Sequence, residues 1–426
     1  MNKIIYPNKQ DWLQLTQRPA ADISELKNIV NQIFDEIKKD GDEAVKKYCH
    51  IYDKVDLDSL AVNEKEIIDA SNKVPEELKQ AIQLAKSNIE KFHASQQEKS
   101  KKIETVKGVS CWRESRAIEK VGIYIPGGTA PLFSTVLMLG IPAKLAGCKE
   151  VILCTPPSKS GKINNVILYA ADLVGITSVF RVGGIQAIGA MTFGTNSIPK
   201  VDKIFGPGNQ FVTAAKQEAQ NFGAAIDIPA GPSELLIITD KTCNPSFVAA
   251  DLLSQAEHGK DSQVILLSDG DDVIDKVLLE LKQQVKTLPR KEIVQQALEN
   301  SKAIVLPSLK ECIDFSNMYA PEHLVLAGNN FKPLISKISN AGSVFIGNYS
   351  CESAGDYASG TNHTLPTNGY ARNYSGVSLD SFVKKITFQE LTKEGIQNIG
   401  LSIELMAEAE QLFAHKNAVT LRLKSF

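Results

Sequence analysis

Between residues 121 and 346, short β-branched and apolar runs alternate with helical patterns, and nothing else in the chain constrains its fold as much. Strands separated by helices cannot be joined as hairpins, so they pair in parallel, with the crossovers covering the sheet faces. Residues 121–125, 151–154, 178–182 and 203–205 read as strands, with helices over 132–146, 163–174, 185–192 and 209–222. The Pro- and Gly-dense run Ile226-Asp-Ile-Pro-Ala-Gly-Pro-Ser-Glu234 breaks this alternation before a second series begins. Strands of that series fall at 235–239, 264–267, 304–306, 324–326 and 344–346, with one helix ending near Gln255 and His258 and another near 273–285. The pattern predicts an α/β protein with two parallel sheets and a ligand between their strand ends.

The flanks read differently. Leu26, Ile29, Val30, Ile33, Phe34 and Ile37 recur at helical spacing, Asn63 with Glu66 has the form of a capping box, and Leu78, Ile82, Ala85, Ile89 and Phe92 make one stripe after Pro75. A β-rich passage covers 103–115. Residues 348–374, rich in Gly, Ser, Asn and Tyr, read as a long functional loop, and the amphipathic stretches 381–388 and 396–413 precede His415.

Composition narrows the partners. Lys and Arg total 47 against 49 Asp and Glu without a basic block, which disfavours nucleic acid and favours small-molecule chemistry. No run is long and apolar enough to span a bilayer, and Met1-Asn-Lys-Ile-Ile-Tyr-Pro lacks a signal-peptide core, so a cytoplasmic protein is expected. Seven Cys without C-x-x-C spacing disfavour a disulfide framework and a thiolate zinc site. A bound metal would therefore need imidazole and oxygen ligands.

Several residues can carry chemistry. Gln255 and His258, three apart near a helix end, can aim an oxygen and an imidazole at one point, although such a pair is often structural. The pair Glu322-His323 at a strand start offers a carboxylate and a group titrating near neutrality, or merely a solvated strand end. Asp356 and His363 lie in the flexible loop, while Glu410 and His415 near the C-terminus could equally be surface groups. Three strand-to-helix turns, Gly127-Gly128, Gly183-Gly184 and Gly206-Pro-Gly208-Asn209, allow close approach of a phosphate, yet none spells G-x-G-x-x-G. Tight turns alone would also use glycine.

Taken together, Val121-Gly-Ile-Tyr-Ile-Pro-Gly-Gly, Ile204-Phe-Gly-Pro-Gly-Asn, Pro229-Ala-Gly-Pro-Ser-Glu, Leu253-Ser-Gln-Ala-Glu-His-Gly, Ala320-Pro-Glu-His-Leu and Gly360-Thr-Asn-His-Thr-Leu-Pro resemble the histidinol dehydrogenase family. The motifs occur in family order across nearly the whole chain. The resemblance implies oxidation of L-histidinol to L-histidine by two hydride transfers to NAD, with the aldehyde retained between them. It implies Zn2+ held by Gln255, His258 and Asp356, with His415 supplied by the partner subunit of a homodimer, so that the metal positions substrate. His323 would act as base at the substrate oxygen and Glu322 would activate water. Ser233, Gln255, His258, His323, Asp356, Glu410 and His415 would contact substrate, and Tyr124, Gln186 and Asn209 would contact NAD.

The family fold implies two Rossmann-like, incomplete doubly wound αβα domains at 119–231 and 232–376. They would be accompanied by an N-terminal extension (1–24), a helical part packing with the second domain (25–118) and a C-terminal helical tail exchanged in the dimer (377–426). Two other chemistries compete: a thiolate trapping an aldehyde at Cys111, Cys148 or Cys154, and a zinc hydrolase using the same His, Asp and Glu set. A non-catalytic binding protein of the same fold is a third reading.

Overall fold

The computed structural model describes residues 1–18, 24–127, 131–229 and 231–425. Gly128, from the first glycine turn, lies outside them. In chain order the strands are β1 (Asn2–Ile5), β2 (Ile103–Val106), β3 (Val109–Ala117), β4 (Lys120–Tyr124), β5 (Glu150–Thr155), β6 (Ser178–Arg181), β7 (Lys203–Phe205), β8 (Ala225–Ile226), β9 (Glu234–Thr239), β10 (Gln263–Ser268), β11 (Lys302–Val305), β12 (His323–Ala327), β13 (Ser343–Ile346) and β14 (Val383–Leu391).

Two all-parallel sheets dominate: β6-β5-β4-β7-β8, and β11-β10-β9-β12-β13 with β1 added beside β11. Counted from its own first strand, each has the order 3-2-1-4-5, one strand short of the doubly wound dinucleotide fold. β9 and β10 are buried along their whole length, as their near-continuous apolar runs require when helices cover both faces.

The N-terminal helices are not where the sequence places them. Instead of packing on the second unit, they cover the first. Val30, Ile33, Phe34 and Ile37 of helix Ser24–Asp40 share a core with Tyr124, Ile188 and Ile204, and Ala70, Ile82 and Ile89 share one with Val121, Leu139 and Ile167. The reason lies in the first unit's own helices. In Phe133–Ala146 the residues from Ser134 to Ala143 are buried, and in Gly184–Phe193 those from Ile185 to Thr192 are; helices apolar all round need a second layer outside them. Gly189 permits that layer to approach, because a Cβ there would sit 2.8 Å from Ile37 Cδ1.

Two further expectations are corrected. The tail opens with a strand, not a helix: β14 pairs antiparallel with β3 over its whole length, and Phe388 stacks on its cross-strand partner Trp112 at 5.4 Å. Val383, Ile386, Thr387 and Phe388 suit a pleated surface, and cross-strand aromatic pairing decides a run too short for periodicity to settle. The loop at 348–374 also contains a short helix, Glu352–Tyr357. Helices Lys393–Ala409 and Phe413–Leu423 complete the tail as expected. Among the described residues, no helix is long and apolar enough to cross a membrane.

Candidate active site

Glu322 and His323 stand at the start of β12, next to the start of β9, where the second sheet's strand order reverses. Helix Leu309–Tyr319 is stopped just before them by Ala320 in the left-handed region (φ 54°), followed by Pro321. The pair thus occupies a switch point, but at the amino edge of the sheet, opposite to the edge where doubly wound folds usually bind ligands.

Backbone groups orient both side chains. Glu322 Oε2 accepts the Glu234 N–H at 2.9 Å, and His323 Nδ1 lies 3.2 Å from the Glu234 carbonyl. A carbonyl can only accept, so this contact places the imidazole proton on Nδ1 and leaves Nε2 with its lone pair. His323 Nε2 is buried and without a protein partner, 3.9 Å from Asp356 Oδ1. Burial pushes the His323 imidazole down to about 3 and lifts the Glu322 carboxyl well above the usual range.

Beside them is a metal-sized cluster. Ligand atoms of His258, Glu352 and Asp356 all lie within 4.8 Å of one another. His258 sits just past the end of helix Pro245–Ala256, in the turn that follows it, its N–H bonded to the Gln255 carbonyl at 3.2 Å. Gln255 is fully buried on the last turn of that helix, and neither its amide oxygen nor its nitrogen has a partner. Burial raises Asp356 to about 6, opposed by His258, and raises Asp251 to about 7.

Glu352 was missed by the sequence reading. It is four residues before Asp356 on the short helix, hence on the same face, a spacing that would have revealed it had the loop been read as helical. Its carboxyl is raised well above the ordinary range by burial, then by the charges of Asp356, Glu322 and Asp251.

His363 has a supporting role instead. Its Nδ1 lies 2.8 Å from the Asp356 carbonyl and its Nε2 3.0 Å from Thr135 Oγ1, tying the loop to helix Phe133–Ala146. Asn362 reinforces that tie by donating to the Met138 carbonyl at 2.7 Å.

The remaining candidates divide. Ser233 is half-buried directly before β9. Tyr124 ends β4, its hydroxyl accepting the Gly184 N–H at 3.1 Å, and Gln186 donates to Asp53 at 3.3 Å while its Oε1 is buried without a partner. Asn209 caps helix Gln210–Ala219 by accepting from Phe211 and Val212 at 3.1 and 3.2 Å. Tyr124 and Asn209 follow the neighbouring strands β4 and β7, between which the first sheet reverses its order, and the Tyr124 hydroxyl is bonded to Gly184, two residues before Gln186. Glu410 and His415, by contrast, are exposed on the tail, whose helices pack on each other and against β2 and β14.

The thiols fit a covalent route poorly. Cys154 is fully buried, with its thiol raised by desolvation, and Cys148 is pushed up to about 11 by burial. Cys111 lies in β3, paired with Ile103 and Gln389, in the separate three-stranded sheet.

Two dinucleotide-type sheets with a buried, unpartnered imidazole beside a carboxylate cluster define an α/β enzyme. A family model for histidinol dehydrogenase matches residues 16–423. Histidinol dehydrogenase from Bacteroides thetaiotaomicron is 55% identical over 425 residues, covering 100% of this chain and 99% of that one. The Escherichia coli protein of that name is 52% identical over 415 residues, covering 97% and 95%. The crystal structure of histidinol dehydrogenase from Elizabethkingia anophelis, 64% identical, matches with a TM-score of 0.98 over 100% of this chain and 98% of that one. The chain belongs to the histidinol dehydrogenase family and is an oxidoreductase. An acetylating aldehyde dehydrogenase from Geobacillus thermoglucosidasius, 13% identical with a TM-score of 0.50 over 89% and 95%, shares the fold alone. These relatives give the hydrolase reading no support.

Proposed function

We propose that the chain oxidises L-histidinol to L-histidine, the last step of histidine biosynthesis, with NAD as oxidant, as a cytoplasmic homodimer. The observation that carries the mechanism is His323: a buried imidazole with Nδ1 engaged by a carbonyl and Nε2 free beside the carboxylate cluster.

The donor set fits Zn2+. Gln255, His258 and Asp356 offer the nitrogen and oxygen ligands that zinc accepts, and a fully buried amide with neither atom paired is costly unless something outside the chain pairs it. His415 of the partner subunit would complete the set, and Glu352 faces the same point. When bound, zinc supplies a fixed charge that orients the substrate, and NAD supplies the hydride acceptor.

His323 Nε2 takes the hydroxyl proton of the alcohol as its carbon loses hydride, giving the aldehyde. Glu322 then takes a proton from the water that adds to that aldehyde, and the anionic hydrate so formed loses a second hydride, to a second NAD, to give the acid. Burial raises the proton affinity of Glu322, which suits it to activating water. Ser233, at the amino end of β9, would contact the substrate. Tyr124, Gln186 and Asn209 would contact NAD at the switch point of the first sheet.

Exchange of the tail between subunits is supported by exposed apolar side chains at Leu401, Leu405, Met406, Leu412, Phe413 and Leu421, a surface a second copy would cover while bringing Glu410 and His415 to a site. Incubating the zinc-loaded protein with L-histidinol and excess NAD tests the assignment: two equivalents of NADH per histidinol are expected. No NADH would overturn it.

A further inference from the structure

Glu234 touches both proposed catalytic residues with its backbone and neither with its side chain. Its N–H holds Glu322, and its carbonyl sets the His323 tautomer. The Glu234 carboxylate is buried and gripped by Arg18, from the N-terminal segment, through Nε to Oε1 at 2.5 Å and Nη2 to Oε2 at 2.8 Å. Oε1 also accepts the Asn368 N–H at 2.7 Å. Arg18 lies 3.9 Å over the Tyr319 ring and donates to the Tyr319 carbonyl at 2.8 Å. Tyr319 is in turn fixed by its hydroxyl donating to Gln263 at 2.9 Å. One ion pair therefore ties together the start of β9, the loop at Asn368 and the end of the helix that leads into Glu322-His323.

We infer that Arg18 and Glu234 are positioning residues: the pair fixes the Glu234 backbone so that its N–H keeps the Glu322 carboxylate aimed and its carbonyl keeps Nδ1 of His323 protonated and Nε2 free. Stability alone gives little reason for a charged pair here, since a buried ion pair can often be replaced by apolar groups without loss. A forked, bidentate pair does what apolar packing does not, which is to fix the orientation of the residue that carries it, and with it the two peptide groups on either side of the Glu234 Cα. Arg18 reaches the catalytic pair only through Glu234, and the residues proposed to contact NAD lie at the other sheet, so its effect falls on rate and not on cofactor binding.

The inference rests on the roles proposed for Glu322 and His323, and the test separates the two. The rate lost in His323→Asn and Glu322→Gln, each with zinc retained, tests those roles. The proposal is tested by the ratio of Arg18→Met to wild type, and by nitrogen-15 NMR of the histidine rings in the holoenzyme, which does not depend on turnover. Arg18→Met is expected to lose about 100-fold in kcat, the scale of an ångström-sized misplacement, with KM for NAD unchanged. Its His323 resonances are expected to leave the Nδ1–H tautomer seen in the wild type. Arg18→Lys, which keeps the charge but not the fork, is expected to recover only part of the rate. Should Arg18→Met fail to fold, Arg18→Lys carries the decision: wild-type kcat per folded site with an unchanged His323 signature, in either variant, overturns the proposal.

Discussion

The two αβ units have the same strand order, but the glycine turn of the first and the carboxylate cluster of the second treat buried polar groups in opposite ways. In the first unit the glycine turn after β7 is closed by the chain itself. The Gly206 N–H donates to Asp227 at 2.8 Å, its carbonyl accepts from Lys216 at 2.8 Å, and Lys216 and Asp227 form a fully buried ion pair. Gly206 has φ 128°, and a Cβ there would lie 2.0 Å from the Tyr124 carbonyl, so the close approach requires glycine. In the second unit Gln255, His323 and Glu352 are buried with polar atoms that find no protein partner. Satisfied buried groups hold a shape, whereas unsatisfied ones in a cluster mark where something else must bind.

Substitutions can break this contrast. Largest is the effect expected in the second unit's cluster: His258→Asn should abolish turnover together with bound zinc, while His323→Asn should keep zinc and lose about 10²–10⁴-fold in rate. Metal analysis of both purified variants checks the division, which fails if both lose metal equally.

Next is Lys216→Met in the first unit. It leaves Asp227 buried without its cation and should cost about 3–5 kcal/mol of unfolding free energy, read by denaturant titration. Gln255→Met is the matching change in the second unit: it removes an amide with no partner, so the metal-free protein should unfold no more easily than wild type while its zinc affinity falls. Equal destabilisation by these two variants would erase the distinction drawn here.

A smaller effect sharpens the same point through pH. His93 is fully buried, with Nδ1 2.8 Å from the Ile89 carbonyl and Nε2 3.2 Å from Asn362, and burial lowers it from 6.5. A histidine whose folded value lies below its unfolded value takes up protons preferentially in the unfolded chain. Its stabilising contribution is present at neutral pH and declines as pH falls below 6.5. His93→Gln should flatten the acid side of the pH–stability curve. Smallest of all, Cys154→Ala should leave kcat unchanged, since no thiolate takes part, and a steady-state assay is enough to check it.

Much of this was legible in the sequence because parallel strands buried on both faces spell themselves as apolar runs. Almost every strand from β4 to β13 falls where those runs are, and of the site candidates His258 and Asp356 lie in one cluster with His323 and Glu322 beside it. What remained hidden depended on contacts between distant segments. The helices of 24–94 cover the first unit because two of its own helices are apolar all round, a fact about layers that no single helix pattern reveals. β14 is a strand because Trp112 and its neighbours pair with it. Glu352 disappeared into a stretch read as loop, and Arg18 gave no local signal, since its partner lies more than two hundred residues further along the chain.

The central claim is that Gln255, His258 and Asp356, with His415 of the partner subunit, hold one zinc ion. Anomalous diffraction at the zinc edge, from crystals grown with zinc and L-histidinol, tests it directly. The account predicts a single peak per subunit within about 2.0–2.2 Å of a donor atom of each of those four residues. A peak bonded to Glu322 or His323 instead, or no peak between Gln255 and Asp356, would contradict it.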